Sequence, residues 1–105
     1  MIRASFSTSG ERFTGFKIGG HSGFADPGSD IVCAAVSAMT GLVIHTAVDI
    51  YNDGGTVKAD EKNAVIEFRA RSEKTYDLIK GLYGQLEALA EEYPENVSVK
   101  RLSKD

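Results

Sequence analysis

The stretch SDIVCAAVSAMTGLVIHTAVDIY, residues 29–51, decides the fold. Val32, Val36, Met39, Val43, Ala47 and Ile50 fall in it at steps of three and four. That spacing draws one apolar stripe down a helix. Ser29 or Asp30 can cap its start, since both side chains accept from the free N–H groups of a first turn. The helix runs to about Tyr51 despite Gly41, and Asn52-Asp53-Gly54-Gly55 ends it. A helix with one apolar stripe must be laid on another element, so the flanking sequence has to supply a sheet.

Upstream, Gly19, Gly20, Gly23, Gly28 and Pro27 forbid regular structure and make a loop over about residues 19–29. Before the loop, IRASFST places Ile2, Ala4 and Phe6 on one face, as a half-buried strand does. Ser9-Gly10-Glu11 turns the chain, and RFTGFKIGG returns with Phe16 and Ile18 inward. Downstream, residues 56–59 and 64–68 form a second hairpin around Asp60-Glu61-Lys62-Asn63. Ser72 caps a second long helix, whose stripe is Ile79, Leu82, Leu86, Leu89 and Tyr93, and Pro94 stops it. Val97 and Val99 begin a last strand. The expected order is ββαββαβ. It implies one α/β (α+β) domain over residues 1–105, a sandwich of two or three layers with a mixed sheet packed by two long amphipathic helices.

The formal net charge of −3 argues against a dedicated nucleic-acid binder, which carries a basic face for phosphates. Lys100, Arg101 and Lys104 are the one candidate basic cluster. A single cysteine makes no internal disulfide, and MIRASFSTSGERF has no apolar core of a signal peptide. LVIHTAVDIY is broken by His45 and Asp49 and is too short for a bilayer. The expectation is a protein of the reducing cytoplasm, with no membrane and no direct nucleic-acid partner.

The chemistry points to Cys33. It falls in the first turn of the first helix, where unpaired N–H groups and the helix dipole favour negative charge. A thiolate is the reactive form of cysteine. Asp30, Cys33 and Ser37 share one helical face, apart from the Val32–Val36–Met39 stripe. His21 lies at the end of a strand, and a glycine-rich loop that folds back can bring its imidazole to the thiol. A cysteine with a histidine is the smallest nucleophile-and-base pair for acyl transfer, and N–H groups around Cys33 can form an oxyanion hole. Plainer roles stand beside these. A lone helical cysteine is usually a small buried hydrophobe. His21 can be a turn residue, Asp30 a helix cap, Ser37 a packing residue, His45 a surface residue and the glycines turn-makers. No cofactor motif appears, and one Cys with two His gives no zinc spacing, so neither a cofactor nor a metal is expected.

The run GHSGFADPGSDIVCAAVSAMT closely resembles the signature of the ribosomal-processing cysteine protease family (Prp). The resemblance is carried by Gly20-His21, Gly28 and Asp30-Ile31-Val32-Cys33-Ala34-Ala35-Val36-Ser37. The N-terminal hairpin and the closing YPENVSV fit as well, so the likeness runs end to end. Ser22 and Phe24 differ from the residues common at those loop positions. The resemblance implies a cysteine endopeptidase with Cys33 and His21 as the catalytic pair and Gly20, Asp30 and Ser37 in support. It implies a substrate loop that includes Ser22, Gly23, Phe24 and Gly28. It implies a homodimer acting on a precursor of the twenty-seventh large-subunit ribosomal protein, cutting its short N-terminal extension after a phenylalanine so that ribosomes assemble. Two other classes stay open: a ribosome-associated assembly or binding factor without catalysis, and a thiol redox sensor.

Overall fold

The computed structural model describes residues 1–21, 23, 25 and 30–103. Strands β1 (Ile2–Ser9) and β2 (Arg12–Gly19) form a hairpin turned by Gly10 at φ +61°. Helix α1 (Ile31–His45) continues into one π turn, Thr46–Ile50. Then come β3 (Thr56–Asp60), β4 (Val65–Arg69), α2 (Glu73–Glu92) and β5 (Val97–Ser103). This is the ββαββαβ order that the periodicities imply. The strands lie in the order β3-β4-β2-β1-β5, with β5 parallel to β1 and the other pairs antiparallel, which makes the sheet mixed.

Register puts the large apolar residues on one face. Phe6 pairs with Phe16, Phe16 with Phe68, Ala4 with Ile18 and Ile18 with Ile66. The opposite face carries Arg3, Lys17, Lys58, Arg69 and Lys100, all exposed. Both helices join one core on the apolar face, so the sandwich has two layers. Phe6 and Phe68 are fully buried, and each contributes about 1.5–3 kcal/mol by leaving water. Phe6 meets Tyr83 of α2 edge-on at 5.2 Å between centroids. Arg101 of the basic cluster covers the Phe13 ring and donates to the Gly10 carbonyl oxygen, so it is held in the fold. Lys104 lies outside the described residues.

The caps follow the sequence. Asp30 caps α1, and the Ser72 side chain accepts from the Thr75 N–H to cap α2. The α1 stripe needs one correction. Its buried residues are Val32, Val36, Thr40, Val43 and Ala47, whereas Met39 is half-buried and Ile50 is 62% exposed. The π turn adds a residue to the last turn, with Tyr51 N–H donating to the Thr46 carbonyl oxygen, and this rotates Ile50 out of line. By length and composition Ile31–Ile50 would suffice to cross a membrane. The ten residues LVIHTAVDIY are only the second half of that apolar stretch. Here one side of the helix lies on the sheet, while its outer side exposes Ile31, Leu42 and Ile50.

Candidate active site

The site forms where β2 ends and α1 begins. Gly19 and Gly20 are squeezed between neighbours. A Cβ on Gly19 would lie 2.7 Å from Val65 Cγ2, and one on Gly20 would collide with the Met1 carbonyl oxygen. Gly20 also holds φ +95°, a region that side chains disfavour, and donates its N–H to the Ala64 carbonyl oxygen at 3.2 Å. Glycine is therefore required here by contact and by conformation together. The backbone leaves this vice at His21, which is exposed.

On the helix side, Asp30 is extended and only 8% exposed. Its carboxylate accepts from the Cys33 N–H at 2.9 Å, and its carbonyl oxygen accepts from the Ala34 N–H at 3.1 Å. That places Cys33, half-buried, in the capped first turn. The capping role of Asp30 is thus met directly. The oxyanion-hole expectation needs correction at one donor, because the Cys33 N–H is already committed to the cap.

Cys33 and His21 open on the same cavity of about 380 Å³. Ser37 and Gly20 line it as well, and Asp30 does not. Gly23 is exposed at φ +71°, while Ser22, Phe24 and Gly28 lie outside the described residues. The far walls were missed by sequence reasoning. They come from Ile2 of β1, Ile18 of β2, Ala59 of β3 and the turn and strand residues Asp60, Glu61, Ala64 and Ile66. Only strand order brings these positions beside Cys33. Thr40 was missed too, yet it left a signal: a hydroxyl in line with Val36, Val43 and Ala47 on a buried stripe.

Asp60 turns its carboxylate to Asn63, accepting from the backbone N–H at 3.2 Å and from Nδ2 at 2.7 Å. These bonds hold its carboxyl below the usual carboxylate range. Asp60 and Glu61 make that end of the cavity acidic, and the rest of the lining is mostly apolar. Among the described residues no group of three or more His, Cys, Asp and Glu could hold a metal ion. A thiol and an imidazole that share one cavity offer a nucleophile and a base to a chain bound there.

Residues 1–98 match the family model of cysteine protease Prp. The chain belongs to the Prp family. Prp is a family of cysteine proteases, which places the chain among the hydrolases. The ribosomal processing cysteine protease Prp of Bacillus subtilis (strain 168) is 29% identical over 109 residues, covering 94% of this chain and 96% of that one. The fold agrees. A crystal structure of an essential ribosomal processing protease Prp from S. aureus, with a covalently linked product peptide, superposes with a TM-score of 0.88. It is 21% identical and covers 96% of this chain and 99% of its own. A Streptococcus mutans protein gives a TM-score of 0.84 at 24% identity, covering 99% of both chains.

Proposed function

We propose that this chain is the endopeptidase that removes the N-terminal extension from the twenty-seventh large-subunit ribosomal protein, cutting after phenylalanine. Cys33 is the nucleophile and His21 the base. The observation that carries the reading is the shared cavity: thiol and imidazole, from separate elements, line one cleft with apolar walls. The S. aureus Prp crystallised with a substrate peptide, alike in fold at a TM-score of 0.82, supports a peptide occupant.

In this mechanism His21 takes the thiol proton and the Cys33 sulfur attacks the scissile carbonyl carbon. The C–N bond then breaks, and the imidazolium gives its proton to the departing amine. The acyl group is left as a thioester on Cys33. Water attacks it, giving its proton to His21, and the C–S bond breaks to release a carboxylate and restore the thiol. A net charge of −3 and the acidic end of the cavity suit a basic ribosomal substrate. The apolar outer face of α1, with Ile31 59% and Leu42 64% exposed, supports a homodimer that covers it. A lone free thiol suits the reducing cytoplasm.

The test is incubation of the purified protein with the extended precursor, read by intact mass, beside Cys33→Ala. One cut after phenylalanine, absent in the variant, is expected. Cleavage that persists in Cys33→Ala removes the nucleophile. Binding of the precursor without any cut by the unaltered protein favours an assembly factor. Sedimentation of the protein beside Leu42→Glu reads the dimer: the variant should be monomeric, and an unaltered monomer would refute the interface.

A further inference from the structure

The helices cover one face of the sheet, and the bare face gathers charge. Lys58 lies opposite Glu67, Glu67 opposite Lys17, Lys17 opposite Ser5 and Ser5 opposite Lys100. The three exposed lysines thus form one row across all five strands, about 19 Å long at about 4.8 Å per strand gap. Arg3 and Arg69, also exposed, flank the row on opposite sides, each diagonal to two of the lysines. The seats directly opposite the arginines, where a carboxylate would neutralise them, hold Gly19 and Ser98 for Arg3 and Gly15 and Thr56 for Arg69. Glu67 is the one acid in the row, and Asp60 at the end of β3 gives its carboxylate to Asn63. Among the described residues the ion pairs join other side chains and hold none of these five cations. Acids are not lacking, since the chain has 15 against 12 basic residues. They are placed elsewhere, and the net charge conceals a basic face. Cations crowded this way repel one another, and a polyanion laid across them removes that repulsion.

We propose that the open face of the sheet docks on the phosphate backbone of double-helical RNA. A flat five-stranded sheet is too broad for the major groove of DNA, which admits a helix or a two-stranded ribbon. The minor groove of an RNA duplex is wide and shallow, and it shows phosphates and 2′-hydroxyls to a flat surface. Ser5, Ser98 and Thr56 stand among the cations, and their hydroxyls can bond either group. Single strands need aromatic platforms for their bases. Among the described residues this face has none, because Phe6, Phe13, Phe16 and Phe68 all turn into the core. Its larger apolar side chains, Val65 and Leu102, sit on separate strands at its border and offer little to a lipid surface. The cavity with Cys33 and His21 lies on the helix side, so a peptide and an RNA can be held at once.

The probe is a fluorescent RNA duplex of mixed sequence and about 16 base pairs, titrated with the whole protein from about 50 to 200 mM salt. Five neutralised phosphates at about 0.9 each predict a slope of log K against log salt of about −4.5. Arg3→Gln/Lys17→Gln should remove about two units of that slope and weaken binding by at least about tenfold at the lowest salt. Its melting temperature should hold or rise, because repulsion is relieved. Arg3→Lys/Lys17→Arg should bind like the unaltered protein. Lys74→Gln/Lys80→Gln, exposed on α2 and off this face, should leave the slope unchanged. Absence of binding at the lowest salt, a slope that survives Arg3→Gln/Lys17→Gln, or an equal loss from the α2 pair overturns the inference. An equal or tighter hold on a DNA duplex of the same sequence, on polyglutamate or on phosphatidylserine vesicles overturns it as well. Neither Arg3 nor Lys17 lines the cleft, so precursor cleavage should be unchanged in their variant. A protein that binds the duplex without cleaving the precursor defeats only the protease reading.

Discussion

Replacing Asp53 should remove a large part of this domain's stability. Asp53 follows the π turn of α1 and is only 8% exposed. One carboxylate oxygen accepts from the Ser72 N–H at 2.9 Å and the Ser72 hydroxyl at 2.7 Å. The other accepts from the Arg71 N–H at 2.8 Å and the Gly55 N–H at 3.0 Å. One side chain thus ties the end of α1 to the start of α2. Hydrogen bonds to a charged group contribute about 1.5–3 kcal/mol each, but such bonds at one site do not add fully. Asp53→Ala strands three backbone donors, and a loss of about 3–5 kcal/mol is expected, a large part of the stability of a small domain. Asp53→Asn keeps one accepting oxygen and turns an amine toward two donors, so about half that loss is expected.

The carboxyl also gives the prediction a pH signature. Burial raises its pKa, but hydrogen bonds from the Ser72 and Thr75 side chains and the Arg71 and Ser72 N–H groups outweigh burial, and the net shift is downward from 3.8. A depressed folded pKa means the folded state holds its proton less tightly than the unfolded chain. The contribution is therefore complete above the unfolded pKa near 3.8 and is lost as pH falls through the lower folded value. Thermal melts of the unaltered protein and Asp53→Asn from pH 7 down to 2 should converge in that acid range, because only the former has this stabilisation to lose. The depressed Asp60 carboxyl is common to both and cancels in the difference. Parallel curves, or a loss below about 1 kcal/mol at pH 7, would refute the tie between the helices.

Two further substitutions probe the site. Asp30→Asn keeps an oxygen for the Cys33 N–H, so stability and cleavage should both be retained, whereas Asp30→Ala should lose about 0.5–2 kcal/mol by thermal melt. A stable Asp30→Asn that no longer cleaves would make Asp30 more than a cap. Gly20→Ala forces a side chain into φ +95° against the Met1 carbonyl, which should destabilise by more than about 1 kcal/mol and cut kcat/KM further by moving His21. Unchanged melting and cleavage would show that the vice around Gly20 yields freely.

The parts of the fold legible in the sequence were those that one element specifies alone. The α2 stripe Ile79–Leu82–Leu86 and the caps Asp30 and Ser72 need no knowledge of a neighbour. So did the start of the site, because a cysteine behind a helix cap is a local pattern. The remainder depended on pairing. Val65 and Ala64 confine Gly19 because β4 lies beside β2, a neighbour set by sheet order and not by adjacency in the chain. The tie from Asp53 to Ser72 joins residues 19 positions apart, and the sequence shows Asp53 only as part of a turn. The π turn escaped because one inserted residue shifts a helical stripe without changing its composition.

The cavity itself follows from which residues α1 turns toward it. Where α2 brings Ile79, Leu82 and Leu86 into the core beside β1 and β2, the packing is closed. Toward β3 and β4, α1 presents Cys33, Ser37, Thr40 and Gly41, all small, and Val57 on the inward face of β3 remains 41% exposed. Larger side chains at those helix positions would fill the gap and gain contacts that a close-packed interior normally has. Gly41 makes the omission plain, since a Cβ there would meet nothing within 4 Å. Four small residues thus lie together on one helix, and all four border the thiol's cavity. Their concentration on one side of α1 is what a cleft kept open for a ligand requires.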